Sequence, residues 1–272
     1  MAASKLDSPC MKTDFFQLAR DPRFSYALFV PDGLASQPTG LLVAVHSSQR
    51  NYEECRDRFS VYARGRGLVV LAPHFPCGLA GDEEGEGYKL LAHGPLRYDL
   101  VLNDMVREVQ ARTGCDADRF LLYGYSGGAQ FALRYLFVHP RRVQAACVAS
   151  PGEITTFETQ MDWACGIGNF ESTFGGPLDA TALRQVPLQL AVGDQDVDTD
   201  ELKEALASRY WESEVQRRCA HRIARLKIFH RSCMDFGLDV QLSLMPGVRH
   251  GDGCPPSVAI AQRFFDRVLS AG

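Results

Sequence analysis

Short apolar runs alternate with stretches of helical periodicity along most of the chain, and this alternation predicts a sheet covered by helices. Apolar runs, typical of strands buried on both faces, lie at residues 41–45, 68–72 and 120–124, and strand-like runs with one glutamine each lie at residues 143–149 and 188–192. Two further strands are predicted at residues 24–30 and 240–244. Helices are predicted at residues 52–66, 96–112, 127–138, 200–236 and 255–269. The predicted fold is therefore α/β, with a mostly parallel sheet flanked by helices on both faces.

For the helix at residues 96–112, the periodicity also predicts which side chains face the core. Within residues 96–112, the side chains expected to point inward are Leu100, Val101, Met105, Val106 and Val109.

Residues 151–185 interrupt the alternation. This stretch has no clear periodicity and contains glycine clusters and an indole at Trp163. It is predicted to be a lid-like insertion that crosses the strand ends. A chain of 272 residues can otherwise form one α/β domain, so residues 1–272 are predicted to be a single domain.

Composition and charge narrow the possible partners. The net charge is -4, the pI is about 6.0 and no dense Lys/Arg stripe is present, so a nucleic-acid partner is not expected. No apolar run approaches the length of a membrane span, and the first ten residues carry an acid and a proline where a secretory signal would be apolar. A cytoplasmic protein without a membrane partner is expected. The nine cysteines lie at no zinc-ligand spacing and are predicted to be free thiols, with no metal or cofactor.

The pattern G-x-S-x-G occurs at Gly124-Tyr125-Ser126-Gly127-Gly128. The pattern alone is weak evidence in a chain with 24 glycines, but here it follows a predicted buried strand and precedes a predicted helix. A sharp strand-to-helix turn of this kind lifts a serine hydroxyl clear of the sheet. Ser126 is therefore the predicted nucleophile, and the Gly127 N–H at the helix start is a predicted oxyanion donor.

A serine hydroxyl needs a base, and the base needs a carboxylate to hold it. In enzymes with such a turn the order along the chain is serine, acid, histidine. Of the seven histidines, His221 and His230 lie in a predicted helix, whereas His250 lies in a loop just after a strand. His250 is the predicted base.

Three carboxylates, Asp194, Asp196 and Asp198, follow the strand at residues 188–192. Asp196 is the first candidate because a residue on the far side of the turn can lean toward the histidine loop. Asp194 is the second candidate, since a residue next to the strand tends to cap the turn. An ordinary turn or helix N-cap is the alternative role for Asp194 and Asp198.

The second oxyanion donor should lie in the loop after the strand at residues 41–45. The candidates are the backbone N–H groups of Ser48 and Ser47. His46 precedes the nucleophile in the chain and is predicted to orient this loop through hydrogen bonds, without a catalytic role.

These motifs together resemble those of the α/β-hydrolases, nearest to the polyhydroxybutyrate depolymerase-like, feruloyl esterase-like and phospholipase/carboxylesterase-like proteins. The resemblance covers nearly the whole chain and is carried by His46 and by residues 26–31, 72–76, 124–128, 193–196 and 246–251. It implies ester hydrolysis through an acyl-enzyme, with Ser126, Asp196 and His250 as the triad. One departure is Ser47, which stands where such proteins usually have a glycine; serine adopts a positive φ less readily than glycine.

The predicted function is a serine esterase that cleaves a small carboxylic ester. Secreted polymer depolymerases carry export signals, and because no such signal is recognised in this sequence, a small ester is favoured over a polymer substrate. Tyr125 and Trp163 are the predicted substrate-binding residues. The apolar side chains of the insertion would roof the acyl pocket, or alternatively pack on the core without ligand contact. Two other functions stay open: a non-catalytic binding protein with the same fold, and an acyltransferase or peptidase that uses the same triad.

Overall fold

The computed structural model describes residues 14–32, 37–81, 83, 85–197, 221–251 and 253–271. Within these residues a single eight-stranded sheet has the order β1-β2-β4-β3-β7-β8-β9-β10, and β5 and β6 form a separate hairpin. The strands are β1 (Asp14–Gln17), β2 (Ser25–Phe29), β3 (Gly40–Val45), β4 (Leu68–His74), β5 (Ala92–His93), β6 (Leu96–Arg97), β7 (Phe120–Tyr125), β8 (Val143–Ala149), β9 (Leu188–Gly193) and β10 (Val240–Met245). The helices are α1 (Tyr52–Arg64), α2 (Gly87–Leu90), α3 (Tyr98–Thr113), α4 (Gly127–Val138), α5 (Phe170–Phe174), α6 (Ala180–Leu183), α7 (Arg222–Phe236) and α8 (Cys254–Ala271).

Six neighbouring strands, β4-β3-β7-β8-β9-β10, run parallel, and β2 pairs antiparallel with both β4 and β1. The predicted mostly parallel sheet is confirmed. Since all six parallel strands point the same way, the loops that follow them lie along one edge of the sheet. That edge is where such sheets place their functional sites.

Helices cover both faces of the sheet, as predicted. Strand β3 shows why, because its alternate side chains enter two separate cores: Leu41 and Val43 point to one face, and Leu42 and Ala44 to the other. Helices α3, α4 and α7 pack on the first face, while α1 and α8 pack on the second.

Two details of the sequence prediction are wrong. Strand β4, predicted at residues 68–72, continues through Pro73 to His74. In α3 the side chain of Leu100 is 46% exposed, and Leu102 is buried in its place. These two residues lie about 200° apart around a helix, so only one of them can share the face of Met105 and Val109. Of the predicted helix at residues 200–236, α7 is confirmed, and residues 200–220 lie outside the described part of the chain.

The segment 151–185 contains two short helices, α5 and α6, and packs on the core of the α3, α4 and α7 face. The ring of Phe157 stacks on Phe236 at a centroid distance of 3.9 Å and on Phe137 at 4.6 Å. The indole N–H of Trp163 donates to the Leu90 carbonyl at 2.7 Å, and its ring contacts Phe174 edge-on. These contacts fasten the segment to the core beneath it.

Among the described residues, none of the helices combines the length and apolar character that crossing a bilayer requires.

A buried carboxylate joins the start of α3 to the end of α4. Asp99 is fully buried and accepts two hydrogen bonds from Arg97, at 2.8 and 2.7 Å, and one from the Nε2 of His139 at 2.8 Å. Burial alone would raise the pKa of Asp99, but the hydrogen bonds from His139 and Arg97 outweigh it, so the pKa lies below the usual 3.8. A carboxyl with a lowered pKa stabilises the fold above its unfolded-state pKa, and this stabilisation is lost as the pH falls through the folded-state value.

We expect Asp99→Asn to lower the free energy of unfolding by about 2 kcal/mol at pH 7, because it removes charge-assisted hydrogen bonds from a buried site. Urea unfolding at a series of pH values should show this difference unchanged above pH 5 and shrinking below about pH 4. The exposed Asp118 provides the control, since Asp118→Asn should leave stability unaltered. A difference between wild type and Asp99→Asn that does not change at acid pH would contradict the assignment.

Candidate active site

The G-x-S-x-G motif forms the sharp turn from β7 into α4. Ser126 has φ 54° and ψ −115°, a strained conformation for a residue with a side chain, which costs about 1–3 kcal/mol. Its N–H donates to the Ala149 carbonyl at 2.9 Å. The neighbouring glycines make the turn possible: a β-carbon on Gly124 would lie 2.1 Å from the Gly128 carbonyl oxygen, and one on Gly128 would lie 2.2 Å from the Val45 carbonyl oxygen. The tight turn therefore requires glycine at both positions.

The predicted nucleophile, base and acid come together at the carboxyl edge of the sheet. The Oγ of Ser126 lies 3.1 Å from the Nε2 of His250, and the Nδ1 of His250 lies 3.0 Å from the Oδ2 of Asp196. A carboxylate can only accept, so Nδ1 carries the ring proton and Nε2 is free to accept the proton of Ser126. The three side chains follow β7, β9 and β10, which are separated by many residues in the chain but end at the same edge of the sheet.

Asp196 is held from its other side by an arginine. Its side chain is 1% exposed, and its Oδ1 accepts a hydrogen bond from the Nη1 of Arg222, at the start of α7, at 3.2 Å. Burial alone would raise the pKa of Asp196, but the hydrogen bond from His250 and the charge of Arg222 outweigh it, so the pKa is lowered. The group is therefore a carboxylate at neutral pH and a permanent acceptor for His250.

The alternative acid, Asp194, is exposed and contacts the backbone near the histidine. Its Oδ1 accepts the Gly247 N–H at 2.7 Å, which ties the turn after β9 to the loop that carries His250. This contact agrees with the alternative role predicted for Asp194, that of an ordinary turn residue. Asp198 lies outside the described residues.

Tyr125, predicted to bind substrate, is buried and contacts the base. Its ring stacks on the imidazole of His250 at a centroid distance of 5.4 Å, and its hydroxyl donates to the His250 carbonyl. These contacts place Tyr125 as a support of the histidine loop. Trp163 lies in the core contacts of segment 151–185, and substrate binding by either residue stays a prediction.

Ser48 lies next to the residue that follows the nucleophile. A β-carbon on Gly127 would lie 2.9 Å from the Ser48 Oγ and 2.3 Å from the Tyr88 hydroxyl. Gly127 is the first residue of α4, so its N–H has no acceptor within the helix. The closeness of Ser48 to Gly127 favours Ser48 over Ser47 as the second candidate oxyanion donor beside Gly127. The carbonyl of Ser47 is turned to the His46 Nδ1 at 2.7 Å, and its Oγ donates to Asn51.

His46 orients this loop. Its Nδ1 donates to the Ser47 carbonyl, and its Nε2 accepts the N–H of Phe75 at 3.1 Å. Full burial lowers the pKa of His46 to about 3, so the ring is neutral in both hydrogen bonds. The contacts fit the predicted loop-orienting role.

The departure at Ser47 does not strain the loop. Within this loop, residues 46–50, a positive φ occurs at Arg50, with φ 56°, and not at Ser47 or Ser48. The left-handed residue of this loop therefore lies three positions after the serine.

Two arginines at the site were missed by the sequence analysis: Arg222, which contacts Asp196, and Arg50, which contacts the loop of Ser48. No motif surrounds either one. The φ of Arg50 and the packing of α7 against β9 appear only in the folded chain.

The arrangement has the parts of a nucleophilic acyl-transfer site. A hydroxyl is paired with an imidazole, the imidazole with a buried carboxylate, and a helix N-terminus lies beside the hydroxyl.

No protein-family model matches this chain, and no curated protein matches its sequence. Solved structures do match its fold. Poly(aspartic acid) hydrolase-1 from Sphingomonas sp. KT-1 is similar with a TM-score of 0.69 and 20% identity, over 88% of this chain and 92% of that one. A poly(3-hydroxybutyrate) depolymerase from Bordetella parapertussis has a TM-score of 0.69 and 21% identity, over 89% and 84% of the two chains. A siderophore hydrolase from Aspergillus nidulans has a TM-score of 0.63 and 17% identity, over 98% and 99%. The chain therefore has the α/β-hydrolase fold.

Proposed function

We propose that this chain, which has the α/β-hydrolase fold, is a serine hydrolase that cleaves a small carboxylic ester through an acyl-enzyme on Ser126. The observation that carries the proposal is the relay from Ser126 Oγ to His250 Nε2, at 3.1 Å, and from His250 Nδ1 to the buried Asp196, at 3.0 Å. These two distances lie in the hydrogen-bonding range and connect a nucleophile to a base and the base to a carboxylate.

In the proposed mechanism, His250 accepts the Ser126 proton as Oγ attacks the ester carbonyl. The carbonyl oxygen becomes an oxyanion, which accepts hydrogen bonds from the N–H groups of Gly127 and Ser48. The imidazolium then gives its proton to the leaving alkoxide, and the acyl group stays on Oγ. A water molecule, deprotonated by His250, then attacks the acyl carbonyl. The bond between the acyl group and Oγ breaks, His250 returns the proton to Ser126, and the carboxylic acid leaves. Asp196 stabilises the imidazolium in both half-reactions.

Support for an ester substrate comes from the site and from the names of similar proteins. Two neighbours are named an ester-polymer depolymerase and a siderophore hydrolase, and others are named esterases or S-formylglutathione hydrolase. At such low sequence identity, the similarity shows a shared fold and does not show a shared substrate. The non-catalytic alternative depended on the departure at Ser47, and the negative φ of that residue removes this support.

We further propose a cytoplasmic location. The seven cysteines in the described residues form no disulfide, and several of them, such as Cys147, are buried small side chains, which is typical of a reducing compartment.

A panel of p-nitrophenyl esters from acetate to decanoate tests the proposed function. The purified protein should hydrolyse the short esters with burst kinetics, because the acyl-enzyme accumulates when its hydrolysis is slow. The matching p-nitroanilide of acetate is the control that separates an esterase from a peptidase. Absence of turnover across the whole panel, in protein that is folded by circular dichroism, would contradict the proposal.

A further inference from the structure

We propose that Arg50 is a positioning residue that holds the oxyanion loop, residues 46–50, in the conformation that presents the Ser48 N–H to substrate. The inference rests on the proposed function. Arg50 lies outside the triad and is not an oxyanion donor, and removal of its guanidinium is expected to lower kcat.

The guanidinium of Arg50 joins three separate segments through their backbone carbonyls. Nη1 donates to Ser48, Nε to Phe75 at 3.3 Å, and Nη2 to Gly85. Ser48 carries the candidate oxyanion N–H, Phe75 follows β4, and Gly85 precedes α2. The planar guanidinium has donors at fixed angles, so its contacts with three carbonyls define where the loop lies relative to the other two segments.

The approach of the guanidinium depends on Gly85. This residue has φ 70°, and a β-carbon on it would lie 1.9 Å from the Nη2 of Arg50. A side chain at residue 85 would therefore displace the guanidinium from this place, and the positive φ of the residue also favours glycine.

Arg50 also has a strained backbone. Its φ of 56° is in the left-handed region, which is unfavourable for a residue with a side chain relative to right-handed backbone. Such a residue persists where surrounding contacts fix it, and these residues cluster at functional sites. If the position served only to turn the chain, glycine would be the better residue, since it adopts this conformation without the cost.

The aromatic ring beneath the guanidinium connects Arg50 to the surroundings of Gly127, the residue after the proposed nucleophile. Arg50 lies over the ring of Tyr88 at 5.2 Å from its centroid. The Tyr88 hydroxyl donates to the His46 carbonyl at 3.4 Å, and a β-carbon on Gly127 would lie 2.3 Å from that hydroxyl. The contacts run from Arg50 through Tyr88 to both sides of the proposed oxyanion site. Loss of the guanidinium therefore removes the contacts that fix the Ser48 end of this loop, while the hydrogen bonds of His46 remain.

Arg50→Gly separates the guanidinium from the backbone conformation. It keeps the left-handed φ without strain and removes the three hydrogen bonds. We expect a fall in kcat of about 10- to 100-fold for p-nitrophenyl acetate, approaching the effect of losing one oxyanion donor. KM should change by less than about 3-fold, since the lost interaction acts in the transition state. Millimolar guanidinium chloride should restore part of the kcat of Arg50→Gly and leave the wild type unaffected.

The matched control is Ala80→Gly, because Ala80 is exposed and also has a positive φ, 54°. It should keep wild-type kcat. A second variant, Arg50→Lys, keeps the charge but not the planar donors, and should also lose kcat at an unchanged thermal midpoint.

Three outcomes decide the proposal. Wild-type kcat in Arg50→Gly would overturn it and leave the proposed function intact. A rise in KM at constant kcat would overturn it too, because that result assigns Arg50 to substrate binding. A loss of kcat that guanidinium does not reverse, together with a lowered thermal midpoint, would show a general structural role and overturn it as well. Failure of the wild type to turn over any ester is a different result and contradicts the proposed function itself.

Discussion

Ser126→Ala is expected to lower kcat for p-nitrophenyl acetate by about 10⁵- to 10⁶-fold, because the attacking atom itself is removed. The folded structure should survive the change. The Ser126 side chain has one described hydrogen-bond partner, His250, and the backbone strain at this position is the same for alanine as for serine. Stopped-flow assays of the wild type and long-time assays of the variant together cover this range of kcat, and thermal unfolding checks that the variant is folded.

The exposed Ser172, on α5, offers a matched control. Ser172→Ala makes the same chemical change outside the site and should retain wild-type kcat. Activity of Ser126→Ala within about 10-fold of the wild type would move the nucleophile to another residue, since no other triad member can replace the attacking atom.

Asp196→Asn should lower kcat by about 10⁴-fold, because the amide no longer fixes the productive tautomer of the histidine or stabilises its imidazolium. The buried Arg222 loses its carboxylate partner in the same variant, and breaking a buried ion pair costs about 3–5 kcal/mol. The rate is therefore normalised to folded protein, measured by circular dichroism at the assay temperature.

Asp194→Asn separates the two candidate acids. The Oδ1 of Asp194 accepts the Gly247 N–H, and an amide oxygen can accept the same hydrogen bond, so the loop should keep its place. We expect kcat within about 3-fold of the wild type. A large loss in Asp194→Asn with little loss in Asp196→Asn would reverse the assignment.

The three side chains of the proposed triad could be located from the sequence because each has a local signal. Ser126 lies in a motif between an apolar run and a helical pattern, and His250 and Asp196 lie in loops directly after predicted strands. The parallel sheet then brings these loops to one edge, as the topology requires. Seven of the eight strands of the main sheet were predicted near their observed positions, most of them because a strand buried on both faces is largely apolar; β1 and the short strands β5 and β6 were not predicted.

The parts that could not be predicted depend on contacts between distant segments. Arg222 lies 26 residues from Asp196, and Arg50 contacts Gly85 across 35 residues, with no spacing rule to join either pair. The wrong inward face at Leu100 has a local cause. The predicted helix included Leu96, which belongs to β6, and α3 begins at Tyr98, so the apolar positions near its start did not define one face.

Labelling with a fluorophosphonate probe tests the central pairing of Ser126 with His250 most directly. The probe forms a covalent bond only with a serine whose proton a base accepts, so intact-mass analysis should show one adduct and tandem mass spectrometry should place it on Ser126. His250→Ala should abolish this labelling while the thermal midpoint stays near the wild-type value. Labelling of a different residue, or no labelling of folded wild-type protein, would contradict the account.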